Sequence, residues 1–452
     1  MALNSSTSTF TFPTHYKTSR LSTLRRVGAQ ATLQAKDPFW RKLPVYSDVE
    51  EGEFLDYRWQ LRNSIKSKEQ AIAFLKNVIP DDKEFHEDVT AGIDKAPMSI
   101  TLTPYILSCI NWKNAMHDPL RKQFLPLAST QEEDHPMTKL DSLSELLQSP
   151  VPGLVQRYPD KATLLSTTVC PLYCRFCFRS YFVGSETTTV EKKTFDRSNR
   201  DRWDMAFDYL RTHPSIEDLT VTGGDTFFLS TSDIDYIGTT LLSMPHIRCF
   251  RFNTRGLTAA PMRVLSDHKW RETMIDLVRR GREKGKHVAI HLHFNHPNEL
   301  SWITEQATLS FFKLGVTLRN QSVLLRGVND SVETMSALIK KLSANNIHPY
   351  YVFQGEMIKG VEDLRTPLST VLDLERQVQG LTTGFNIPKF VLNSPIGGKH
   401  LVGHYDTYDP EKGVSTFKSS FDTNKGAVYT YCDPLDALSP EMKQKWLEGS
   451  LP

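Results

Sequence analysis

From about residue 160 onward, short apolar and β-branched runs alternate with longer stretches whose apolar positions recur every three or four residues. The short runs have the length and composition of strands, and the longer ones have the spacing of amphipathic helices. Strands are predicted over 163–169, 218–222, 248–253, 287–294, 316–325 and 348–353. Helices are predicted near 202–212, 232–243, 262–284, 301–313 and 331–344, with another near 367–380. Six strand–helix units in succession predict an α/β fold: a parallel sheet, closed or partly closed as a barrel. In such folds chemistry gathers at the carboxyl ends of the strands.

The chain before residue 156 has a different texture. Ser67-Lys-Glu-Gln70 reads as a capping box, followed by Ile72, Leu75 and Ile79 at helical spacing, with Pro80 as the stop. Residues 37–155 therefore read as a helical, loop-rich region, with the polar stretch 129–134 as an exposed loop. Residues 1–36 contain no Asp or Glu, abound in Ser and Thr, and carry Lys17, Arg20, Arg25, Arg26 and Lys36. That is the composition of an organelle transit peptide, here a mitochondrial address; it also fits a tail with no address, in a protein of the cytoplasm. The catalytic part is expected over 156–400, and 401–452 form a C-terminal extension.

Composition removes several function classes. The 452 residues are 39% hydrophobic and 23% charged, with a formal charge of +2, so no electrostatic case exists for nucleic acid as the main partner. No apolar run reaches the roughly 18 residues of a membrane span. Six cysteines are too few for a disulfide scaffold in a chain of this length, and three of them fall within eight residues. Cys109, Cys249 and Cys432 are scattered and read as idle thiols.

The clustered three lie in Cys170-Pro-Leu-Tyr-Cys174-Arg-Phe-Cys177-Phe-Arg179, directly after the first predicted strand. Thiolates are soft ligands, and a [4Fe–4S] cluster wants four of them. Three leave one iron open, able to chelate the amino and carboxylate groups of S-adenosylmethionine. The spacing resembles the signature of the radical S-adenosylmethionine superfamily. A structural zinc site would need a fourth ligand and a second paired cysteine unit, which is missing. Gly223 and Gly224, followed by Asp225, end the second strand, where adjacent glycines let the backbone approach a ligand. Strand alternation puts His291 and His293 on one face, which leaves a barrel zinc hydrolase as the rival reading.

Beyond the cysteines the sequence resembles the lysine 2,3-aminomutase family, from about residue 56 to 399. The matching strings are Asp56-Tyr-Arg-Trp-Gln-Leu-Arg-Asn63, Asp118-Pro-Leu-Arg-Lys-Gln123, Arg157-Tyr-Pro-Asp-Lys161, His293-Phe-Asn-His-Pro-Asn-Glu299 and Asn320-Gln-Ser-Val-Leu-Leu-Arg-Gly-Val-Asn-Asp330. The resemblance implies a partial (β/α)6 barrel, a [4Fe–4S] cluster on Cys170, Cys174 and Cys177, S-adenosylmethionine, and pyridoxal phosphate. Asn393-Ser-Pro-Ile-Gly-Gly-Lys399 is similar to the family's glycine-rich stretch ending in the cofactor lysine, which makes Lys399 the catalytic lysine. Arg157 and Lys161 match two phosphate-binding arginines, with Tyr158 beside them; lysine at the second position keeps the charge and loses the bidentate fork. Arg179 matches the arginine that holds the substrate α-carboxylate, while His293 and Gln321, with Gly223, Gly224 and Asp225, match the surroundings of S-adenosylmethionine.

Two departures bear on substrate and assembly. Lysine-specific members read the side-chain ammonium with two carboxylates, whereas this chain has Glu356 at the first position and Asn393 at the second. That favours lysine or another basic or polar amino acid over glutamate. The family's C-terminal zinc cysteines are missing, since only Cys432 follows Lys399. The resemblance thus implies an isomerase that moves an α-amino group to Cβ, an electron donor of the flavodoxin or ferredoxin type, and room for a homo-oligomer. Alternatives are an aminomutase for arginine or glutamate, a β-lysine-forming enzyme of protein modification, and a non-catalytic iron–sulfur protein.

Overall fold

The computed structural model describes residues 37–395, 398–419 and 426–450. The acid-poor segment 1–36, with its expected organelle address, lies outside them, as do Ile396 and Gly397 of the glycine-rich stretch.

A nine-stranded sheet whose spatial order follows chain order organises the molecule. Its strands are β1 (Leu154–Val155), β2 (Lys161–Thr167), β3 (Asp218–Gly223), β4 (Cys249–Thr254), β5 (His287–Leu292), β6 (Thr317–Val323), β7 (His348–Phe353), β8 (Lys389–Ser394) and β9 (Gly398–Leu401). Strands β2 to β8 run parallel, each joined to the next by a crossover with at least one helix on it. Antiparallel β1 and β9 form the two edges, so the sheet is a half-barrel. All six predicted strands and their helices are present. The pattern missed β8 and β9, because Lys389–Ser394 is a short run broken by Asn393 and Lys399 sits among glycines. The expected 262–284 helix is two, Met262–Ser266 and His268–Glu283, because the Asp267 side chain breaks the first and caps the second by accepting the Trp270 N–H at 3.2 Å.

Burial along the strands explains where the site lies. On β4 and β6 half-buried residues alternate with buried ones. The buried set, such as Phe250, Phe252 and Leu318, belongs to the core beneath the helices, while Arg251, Asn253, Arg319 and Gln321 line internal cavities. Between β6 and β7 the register slips by one residue at Asn320/Gln321, so both Tyr350 and Tyr351 reach a cavity wall.

Upstream, helix Lys68–Val78 starts where predicted: Ser67 Oγ accepts the Gln70 N–H at 3.3 Å, but Gln70 Oε1 takes the Lys66 N–H, one residue before the cap. Downstream, the C-terminal extension carries structure of its own. Strands β10 (Thr407–Asp409), β11 (Val414–Lys418) and β12 (Val428–Cys432) form a separate antiparallel sheet. The Tyr431 hydroxyl on β12 donates to the Gly355 carbonyl at 3.0 Å and accepts from Gln354 Nε2 at 2.6 Å, bracing the segment after β7. Among the described residues no helix is long and apolar enough to cross a membrane.

Candidate active site

A cavity of about 300 Å³ fills the half-barrel, and every site residue expected from the sequence lines it. At the carboxyl ends of the strands the wall carries Cys170, Cys174 and Cys177 on the loop after β2. Burial raises the pKa of all three thiols, Cys177 to about 12. Gly223 and Gly224 line the cavity and also pack closely on the backbone behind them. A Cβ on Gly223 would sit 2.5 Å from the Thr167 carbonyl, and one on Gly224 would run into the Val169 carbonyl. The Gly224 and Asp225 amides donate to the Thr167 and Val169 carbonyls at 2.6 and 2.9 Å, which ties the end of β3 to the base of the cysteine loop. Asp225 also faces backbone, accepting the Phe227 and Arg255 N–H groups at 2.8 Å each, and burial lifts its pKa to about 6.

Arg255, which sequence reasoning passed over, touches the Cys174 thiol directly. Its Nη1 donates to Cys174 Sγ at 2.8 Å, and its Nη2 donates to Gln123 at 2.6 Å and Glu299 at 3.3 Å. Asn295 joins through Gln123 at 3.0 Å. The signal was its place just past β4, equivalent to the glycine pair just past β3. His293 lines the cavity and stacks on Phe176 with centroids 5.7 Å apart, and its Nε2 is buried with no partner. His291 Nδ1 shares a hydrogen with Gln321 Nε2 at 3.2 Å. Among the described residues no three His, Cys, Asp or Glu groups are arranged to hold a single metal ion. All three thiols line the cavity, and soft thiolates are the ligands that an iron–sulfur cluster takes.

Lys399 stands on β9 opposite Asn393 of β8, and its backbone N–H donates to the Tyr158 hydroxyl at 3.1 Å. Its side chain is exposed, but into the cavity, between the rings of Tyr158 and Phe353 at 5.8 and 5.9 Å. Enclosure by protein, then the cations Arg157, Arg251 and Lys161, lower its pKa to about 7. Lys161 lies over the Tyr158 ring at 4.1 Å. Arg157 Nη2 donates to Asn393 Oδ1 at 3.2 Å and to the Ser394 carbonyl, while its Nε is buried and unpartnered. Glu356 also lines the cavity; burial pushes its carboxyl up to about 8, against the pull of Arg157 and a hydrogen bond from Asn393.

The chain is 36% identical over 397 residues to the L-lysine 2,3-aminomutase of Clostridium subterminale, spanning 88% of both proteins. It belongs to the lysine 2,3-aminomutase family. The L-lysine 2,3-aminomutase of Bacillus subtilis is 33% identical over 91% of this chain and 81% of its own length. The glutamate 2,3-aminomutase of Clostridioides difficile is 29% identical over 79% of this chain and 78% of its own. No protein-family model matches the sequence.

The cofactors of lysine 2,3-aminomutases are a [4Fe–4S] cluster, S-adenosylmethionine and pyridoxal phosphate, and this cavity suits all three. Its donor set is three soft thiols and a lysine amine of lowered pKa, with unpartnered buried nitrogens on His293 and Arg157 in the same lining. Arg179 lines the same cavity, and with no substrate present its fork grips Glu145, Nε at 2.9 Å and Nη2 at 2.8 Å, while Nη1 donates to Thr222 at 3.0 Å. A buried guanidinium needs a counter-charge, and the chain supplies its own.

Proposed function

We propose that this chain is an L-lysine 2,3-aminomutase, moving the α-amino group of lysine to Cβ to give a β-amino acid. The observation that carries the reading is one cavity lined by both the Cys170–Cys174–Cys177 thiols and the Lys399 amine. When bound, the three cofactors supply hydrogen-atom abstraction and a conjugated carbonyl that carries the migrating nitrogen. The chain's residues hold, orient and enclose. Cys170, Cys174 and Cys177 ligate the cluster, and Gly223, Gly224 and Asp225 fix the loop that bears them. His293 and Gln321 face the adenosyl group. Lys399, whose amine pKa is lowered to about 7, is the nucleophile for the aldehyde. Tyr158 packs beside it, and Arg157 and Lys161 attract the cofactor phosphate.

Glu356 and Asn393 read the far end of the substrate. Burial pushes the Glu356 carboxyl up to about 8, and an arriving ammonium would draw it back toward its charged form, a gain that a substrate carboxylate could not supply. That supports lysine over the glutamate used by the Clostridioides difficile relative. The same proposal includes catalysis confined to 156–400, a flavodoxin- or ferredoxin-type reductant, assembly into a homo-oligomer, and an organelle address within 1–36. The test is anaerobic incubation of reconstituted protein with S-adenosylmethionine, a reductant and a panel of amino acids. β-Lysine should be the main product; β-glutamate alone, or no β-amino acid from any basic substrate, would overturn the assignment.

A further inference from the structure

A second chamber of about 300 Å³ lies at the amino ends of the strands, on the side of the half-barrel away from the cysteines. Tyr158, Lys161, Arg251, His291, Gln321 and Lys399 line both chambers, so the two meet around the Lys399 amine. In the sheet Arg251 of β4 pairs with Ala289 of β5, and Arg319 of β6 pairs with His291. Arg251 thus shares a row with Ala289, and Arg319 stands one same-face step further along, beside His291; all four line the second chamber.

The charges around that space do not balance. Lys161, Arg251, Arg319 and Lys399 line the chamber against one carboxylate, Asp218, which is ion-paired with Arg251. Arg319 stacks on Tyr350 at 5.2 Å and meets no carboxylate among the described residues; Lys161 is 3.9 Å from Asp160. Neighbouring bases register the excess. After burial, Arg251 and Arg319 are what hold His291 down to about 2, and both also lower His287. A cavity with such uncompensated positive potential is built for an anion.

We propose that Arg251 and Arg319, together with Lys161, bind the phosphate of pyridoxal phosphate on the amino-end side of Lys399. This rests on the aminomutase reading above. Arg251 and Lys399 line the same chamber, so a cofactor held at the amine has its phosphate within that chamber's cationic wall. It also explains how the chain manages with Lys161, a point charge without a fork, at a phosphate-binding position: the forks come from β4 and β6.

The test uses the full chain, reconstituted anaerobically, and compares dissociation constants for pyridoxal phosphate and pyridoxal by absorbance. Arg319→Gln, which breaks no ion pair, should weaken pyridoxal phosphate by about tenfold or more while leaving pyridoxal unchanged. Arg251→Gln should do the same, and Arg251→Lys should recover part of the loss. Inorganic phosphate should compete with the cofactor in the native chain and do so less well in either Gln variant. Equal losses for both ligands, no loss for either, or a weakened substrate constant with an unchanged cofactor constant would overturn the assignment. A native chain that took up no pyridoxal phosphate at all would instead sink the aminomutase reading itself.

Discussion

Glu145 grips Arg179 through both carboxylate oxygens, at 2.8 and 2.9 Å, beneath the cysteine loop. Both side chains are buried, and Tyr181 adds a hydrogen bond to Glu145 at 3.2 Å. Burial raises the Glu145 carboxyl, yet Arg179 outweighs it and holds the group below its ordinary range. Replacing Glu145 by Leu should strand a buried cation and cost about 3–5 kcal/mol of stability, read from denaturant unfolding. A loss under about 1 kcal/mol would mean that the pair is dispensable.

Lys399 should capture pyridoxal phosphate faster as pH rises. The amine is nucleophilic only when neutral, so the borohydride-fixed linkage should form slowly at pH 6 and approach its limit above pH 8, with a midpoint near the lysine's pKa of about 7. Lys399→Ala should abolish the linkage and leave the iron content unchanged. A linkage persisting in that variant would assign the cofactor to another lysine.

Glu356 gives substrate binding its own pH signature. Its carboxyl is raised to about 8, so below that pH it must release a proton before it can pair with an ammonium. Lysine affinity should therefore fall by about tenfold per pH unit from this group alone as pH drops from 8 toward 6. Glu356→Gln should remove that slope. An unaltered slope would show that Glu356 does not meet the substrate.

Tyr431 reaches the site from the other sheet. Tyr431→Phe removes the bonds to Gly355 and Gln354, a loss of about 1–2 kcal/mol. Because those bonds hold the segment that carries Glu356, the KM for lysine should rise while the affinity for pyridoxal phosphate stays the same. Equal effects on both would assign Tyr431 a general structural role.

Gly224→Ala should damage the cluster without touching a ligand. Its Cβ would collide with the Val169 carbonyl at the root of the cysteine loop, so iron and sulfide uptake should fall, measured against unchanged far-ultraviolet dichroism. Full iron loading would show that the loop can yield.

Much of this protein is local, and local features are legible in a sequence. Strand and helix periods, the Ser67 cap, the spacing of Cys170, Cys174 and Cys177, and the glycine pair all lie within a few residues along the chain, where backbone geometry alone ties pattern to shape. What only the tertiary structure decided are the pairings of distant residues. Glu145 meets Arg179, Arg255 meets Cys174, and Tyr431 meets Gly355 because separate segments converge. Arg251 and Arg319 face one chamber only because parallel register sets them in neighbouring rows, beside Ala289 and His291 of β5. A charge is read as a surface residue until the fold shows which cavity it enters, and strand register is set by the whole sheet, so no segment of the sequence holds that information alone.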